Sequence, residues 1–295
     1  MKVYPLKTVP TAAVRSWGAG RLRALYQRGG EGERIGETTE LSPALRVAEG
    51  EYQNLTVGQL ASRFGEEFTG SEQKGISYRI RLLDTMCRTP TYVYPDEREA
   101  KGMHGHYELA VILRAEPNAG LYAGFRREIG REEFLELAAE GKLHRQMHFL
   151  PAAPGDVFFL PGGLPVAVGG GITLMAVSGG SEERFTVEGN EAGKNYGYVQ
   201  KDLRAMKFVG KSETFPWGKE RRAVYGPLSA EEVTLSGRVE KPTEQRLVSL
   251  FVSRGEGILE TGGESAPFRP GDSFLIPAEA ESFRAEGNAT LFLFR

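Results

Sequence analysis

The residues of this 295-residue chain that could do chemistry are few: four histidines, one cysteine, and scattered strand-borne arginines, tyrosines and carboxylates. His104-x-His106-x-Glu108 sets three metal- or proton-handling groups at alternate positions of a strand, where their side chains share one face. Neighbours two apart stand about 6.7 Å from each other and can converge on one ion, whereas the outer pair is about twice as far apart, so all three cannot comfortably bind together. The other reading of His106 and Glu108 is a hydrogen-bonded lining of a sheet interior. His144 and His148 have helical spacing, but Gly141 ends the helix before them, so both read as structural. Cys87 stands alone, which excludes an internal disulfide and a CxxC zinc knuckle; without an activating neighbour it reads as a small buried hydrophobe.

These groups must be positioned by strands. Pro154-Gly155-Asp156 is turn chemistry, Val157 to Leu160 is an apolar run too short for a helix, and Pro161-Gly162-Gly163 stops it. The pattern returns 116 residues later as Pro270-Gly271-Asp272, the run Ser273 to Ile276, and Pro277. One supersecondary unit is used twice. Strands are further expected at 35–42, 78–83, 90–94, 104–113, 247–252, 257–260 and 291–294. Thr56 can cap a short helix over 57–64, and 131–139 reads as a helix with Phe134, Leu135 and Ala138 on one face. Gly169-Gly170-Gly171 is a tight strand connection and not a phosphate loop, because no helix follows it.

Composition closes off other classes. Hydrophobic residues at 40% and charged residues at 26% are ordinary for a globular chain, and the net charge of −2 gives no reason to expect nucleic acid or an anionic membrane. The N-terminal residues lack the apolar core of a secretory signal. Only 157–181 is long and uncharged enough to raise a membrane question, and its prolines and glycines point to two strands instead. A cytoplasmic protein is the expectation.

The repeated turn and strand resembles that of cupins. In order, Trp17-Gly18, Ile35-Gly36-Glu37, Arg81-Leu82-Leu83-Asp84-Thr85, Val93-Tyr94-Pro95-Asp96, Glu108, Ala115-Glu116-Pro117, the Pro154 to Pro161 stretch and Gly169-Gly170-Gly171 resemble type I phosphomannose isomerases of the short bacterial form. The resemblance covers nearly the whole chain. It implies a mostly β protein of two cupin-type double-stranded β-helix (jelly-roll) barrels with a few short helices. The first barrel and the N-terminal strands would occupy 1–195, with a linker from Glu188 to Asn195, and a second, smaller β domain would occupy 196–295. The family interconverts mannose 6-phosphate and fructose 6-phosphate with zinc, held by a Gln-x-His pair before Pro-Asp, a Glu on the next strand and a later His. An arginine on the following strand is assigned a catalytic role.

At the matching positions this chain carries Tyr92 and Tyr94, then Glu108, which is intact, then Val166, and Thr186 for the arginine. Arg184, two residues before Thr186, should face the same side and could deliver a guanidinium as the catalytic cation; a salt bridge to Glu182 or Glu183 is the alternative. His106 falls where the family commonly has a pocket lysine. The expected ligand-lining set is therefore Tyr92, Tyr94, His106, Glu108, Val166 and Thr186, with no metal, unless His104, His106 and Glu108 form a remodelled zinc site. Two readings remain open: a pseudoenzyme that binds a sugar or sugar phosphate, or a divergent active aldose–ketose isomerase.

Overall fold

In the computed structural model, which describes residues 1–70, 75–96, 105–188, 213–215, 221–225 and 228–295, the two Pro-Gly-Asp turns are built alike. Gly155 and Gly271 take φ of 93° and 88°, a left-handed conformation that glycine adopts freely. The Gly155 amide donates to the Ile112 carbonyl at 2.7 Å, and the Ile112 amide donates to the Asp156 carbonyl at 2.9 Å. Gly271 and Val252 repeat the exchange at 2.8 Å, with Asp272 accepting from Val252 at 2.9 Å. The aspartate side chains close both turns, accepting from the amides of Ala153 and Arg269. Each turn thereby delivers its strand antiparallel to a longer one: Val157–Pro161 against Tyr107–Ala115, and Ser273–Ile276 against Val248–Thr261.

The chain is mostly strand, as expected, and divides into two compact units that are discontinuous in sequence. One comprises 1–13, 20–82 and 217–295; the other comprises 14–19 and 83–216. A linear cut at 195 would assign residues 1–82 to the first barrel, but strand Leu6–Val9 pairs with Ser273–Ile276. The expected linker lies outside the described residues from 189 onward, and Glu188 itself ends strand Phe185–Glu188.

In the 83–216 unit two sheets face each other. One runs in the order Glu213–Phe215, Val157–Pro161, Tyr107–Ala115, Ile172–Gly179. The other runs Phe185–Glu188, Thr91–Val93, Val166–Val168, Gly120–Phe125, Met147–Pro151. Ala110, Ile112 and Phe158 from the first sheet meet Leu121, Ala123 and Val168 from the second in one core. The second sheet's outer face is covered by helix Arg131–Ala139, whose Phe134 and Ala138 pack with Val93, Leu143 and Val187. The sheets do not close into barrels among the described residues; the jelly roll is an open two-layer sandwich. Three strands, not two, occupy 157–181, because Val166–Val168 is separate. Among the described residues no helix is long and apolar enough to cross a membrane.

In the other unit the largest sheet carries a core that includes Val248, Leu250, Phe274 and Leu291. The expected strands 247–252 and 257–260 are one strand, Val248–Thr261, with a register shift between Val252 and Arg254. It continues because glycine absorbs the distortion at Gly255, whose φ is 77°. Gly237, Gly287 and Gly257 pair in a row across three adjacent strands. Val248 and Leu250 on one side of that row share a core with Leu259 and Phe283 on the other, so the sheet bends along it. Helix Val57–Phe64 starts where expected: Thr56 accepts from the Gln59 amide at 3.1 Å, and the Gln59 side chain accepts from the Thr56 amide at 2.8 Å.

Gly271→Ala should therefore cost about 1–3 kcal/mol. The conformation is left-handed, and the added carbon would lie 2.8 Å from the Tyr26 carbonyl oxygen. Urea denaturation reads the loss; an unchanged midpoint would contradict the turn's role.

Candidate functional site

Strand pairing assembles half of the expected set. Tyr92 is paired with Val166 on one side and with Thr186 on the other. Val166 packs against the core that includes Ala110 and Ile112, so this row faces the space between the two sheets. Glu108 lies on the same face of its strand as Ala110 and Ile112 and enters that space from the opposite sheet. Arg184 carries its guanidinium over the Tyr92 ring, 4.2 Å from the centroid, a cation–π contact that aims a fixed cation along the row.

The other half is built around His106. Its ring stacks on Tyr94, with centroids 3.8 Å apart and planes inclined by 9°. Nδ1 lies 2.9 Å from the Ser181 carbonyl oxygen, which can only accept, so Nδ1 carries the proton. Nε2 is then turned to Glu108, 3.9 Å from its carboxylate. Both residues are buried. A backbone knot holds the segment: the His106 amide donates to Pro95, the Gly162 amide to His106, and the Gly163 amide to Tyr94. A Cβ on Gly162 would sit 2.3 Å from the Pro95 oxygen, so the glycine after Pro161 is what permits this approach.

His104 lies outside the described residues, and the strand begins at Tyr107, later than the expected start at His104. Cys87 is exposed, contrary to the buried reading, because its turn docks by backbone: a Cβ on Gly170 would lie 2.6 Å from the Met86 oxygen, leaving the side chains outside. His144 meets Tyr122 edge-on, and its Nδ1 is 3.8 Å from Glu188. Burial, helped by Arg88, holds its pKa below the ordinary imidazole value. The glycine triplet is a strand connection, as expected, with Gly169 donating to Gly120 and Gly171 to Thr85. Two groups were missed. The Ser181 carbonyl leaves no side-chain signal, and Glu188 stands where the sequence predicts a linker to begin.

Zinc needs about four nitrogen, oxygen or sulfur donors. Among the described residues no group of three or more His, Cys, Asp or Glu could hold a metal. His106 offers one nitrogen, since Nδ1 is bonded to Ser181, and Glu108 adds a carboxylate. These described donors by themselves do not fit the ion; His104, the third member of the expected remodelled site, lies outside the described residues.

Comparison with known proteins agrees with the fold. Residues 228–294 match the model of the mannose-6-phosphate isomerase cupin domain. The chain is 23% identical to a mannose-6-phosphate isomerase of Streptococcus mutans over 92% of both chains. It is 23% identical to the mannose-6-phosphate isomerase ManA of Bacillus subtilis over 98% of both. The solved structure of mannose 6-phosphate isomerase from Bacillus subtilis superposes with a TM-score of 0.83 at 21% identity, covering 99% of each chain.

Gly162→Ala should push Pro95 and His106 apart and cost about 1–3 kcal/mol of stability. Loss of the ring-current shift that Tyr94 imposes on the His106 ring protons would register the displacement in NMR spectra. Retention of that shift at unchanged stability would contradict it.

Proposed function

Because this chain belongs to the mannose-6-phosphate isomerase family of cupin proteins, we propose that its 83–216 unit binds a small sugar or sugar phosphate in the cytoplasm, without zinc and without isomerase turnover. The observation that carries this reading is the donor set: among the described residues, one imidazole nitrogen and one carboxylate where a metal would need about four ligands. In this reading Arg184 meets the phosphate or another anionic group as a planar fork steadied by Tyr92. His106 and Glu108 take sugar hydroxyls, Tyr92 and Tyr94 supply ring faces and phenol groups, and Val166 and Thr186 form the wall. Neither a nucleic acid nor a membrane is part of the proposal.

The second reading, a divergent active isomerase, is favoured by a specific observation. The relatives that match nearly end to end are named as mannose-6-phosphate isomerases. There Glu108 would hold the proton that moves between C1 and C2, and Arg184 would stabilise the charge on the enediolate.

Fructose 6-phosphate at about 100 times its Kd should stabilise the protein by about 2.7 kcal/mol, a rise of a few degrees in Tm. Arg184→Ala should abolish that rise. In a coupled assay, mannose 6-phosphate isomerisation should stay at background with or without added zinc. The combined change Tyr92→Gln, Tyr94→His, Val166→His and Thr186→Arg is the smallest expected to give zinc-dependent turnover, since a tetrahedral site needs its ligands together. Wild-type turnover abolished by Glu108→Ala or by a chelator would establish the second reading instead. Glu108→Ala should leave Tm unchanged or raised, because a carboxylate kept for a ligand costs the free protein desolvation energy; a large drop would make Glu108 structural.

A further inference from the structure

Strand Phe185–Glu188 does two things that a regular strand cannot. Thr186 is opposite Tyr92 and Glu188 is opposite Thr91, yet Tyr92 and Thr91 are adjacent and point to opposite faces of their sheet. In a regular strand residues 186 and 188 would share a face. The register shifts between them, and Val187 is the extra residue of a β-bulge. Val187 packs with Val93, Phe134 and Leu143 on the helix-covered side. Glu188 follows it there and is fully buried. Its Oε2 accepts from Arg88 at 2.7 Å and from the Thr91 hydroxyl at 2.8 Å, and its Oε1 accepts from the Leu143 amide at 2.7 Å. Arg88 also donates to the Thr91 hydroxyl at 3.2 Å, closing a triangle.

We infer that Glu188 is a positioning residue for ligand binding: its anchorage to Arg88, Thr91 and Leu143 pins the bulge at Val187, and the bulge is what keeps Arg184 and Thr186 on the Tyr92 side. Loss of the bulge would shift the strand by one residue and turn Arg184 and Thr186 to the wrong face. Glu188 is well placed for this role because a buried carboxylate with three donors tolerates only the register that supplies all of them. The inference rests on the reading of the Arg184–Tyr92 face as the ligand site, but it concerns a geometry that exists without ligand.

The test uses Glu188→Gln, which keeps size but sets an amide N–H against donors, and the milder Thr91→Val. The readout is the Arg184 side-chain N–H resonance in the free protein, which the Tyr92 ring shifts upfield; Tyr92→Leu supplies the unshifted reference. Glu188→Gln is expected to move the resonance to the reference position and to weaken fructose 6-phosphate binding about tenfold, with Thr91→Val between it and the wild type. If Glu188→Gln does not fold, Thr91→Val decides alone. A wild-type Arg184 resonance in the folded variants overturns the inference, since a purely structural role would lower Tm without moving it. A wild-type protein that binds no fructose 6-phosphate fails the ligand reading, while the resonance still decides the positioning role.

Discussion

Backbone approaches that only glycine permits set the frame on which everything in the 83–216 unit depends. Gly162 closes on Pro95 and His106, Gly169 on Gly120, and Gly170 on Met86, each at a separation that a Cβ would violate. Those approaches let amides from one strand end reach carbonyls of another, so that loops are tied by backbone rather than by side-chain packing. The side chains are then released to face the space between the sheets. The Pro-Gly-Asp turns apply the same device in both units, exchanging a glycine amide and an aspartate carbonyl with the neighbouring long strand.

With the frame fixed by backbone, the site's polar groups are held by local pairings. Stacking on Tyr94 and the bond to Ser181 leave His106 one orientation, with the proton on Nδ1 and Nε2 facing Glu108 from 3.9 Å. The Arg184 guanidinium lies over the Tyr92 ring, 4.2 Å from its centroid, so an aromatic face helps to orient it. On the reverse side of the same sheet, the buried carboxylate of Glu188 holds the bulge in strand Phe185–Glu188, which Arg184 immediately precedes.

Local rules reached far into this structure. The capped helix at Thr56, the helix 131–139, the two turns and the glycine triplet follow from spacing and turn chemistry, and the structure has them where those rules put them. The row Tyr92, Val166 and Thr186 followed from resemblance, because a strand register carries positions across sheets intact. What stayed hidden depends on long-range pairing. The continuous strand Val248–Thr261 depends on Gly255 at its register shift and on the row Gly257, Gly287 and Gly237, whose members lie on three strands far apart in sequence. The discontinuous units require residues 6–9 to pair with 273–276. The bulge at Val187 is invisible locally, because alternation alone puts Glu188 on the side of Thr186. The exposure of Cys87 follows from a backbone contact, and backbone contacts leave no mark on composition.

The central claim is that recognition here runs through Arg184, His106 and Glu108 and not through a metal. Calorimetric titration of chelator-treated protein with fructose 6-phosphate, repeated after zinc is restored, tests it most directly. The account predicts one saturable binding event of the same affinity in both titrations. Binding that appears only after zinc is returned would contradict it.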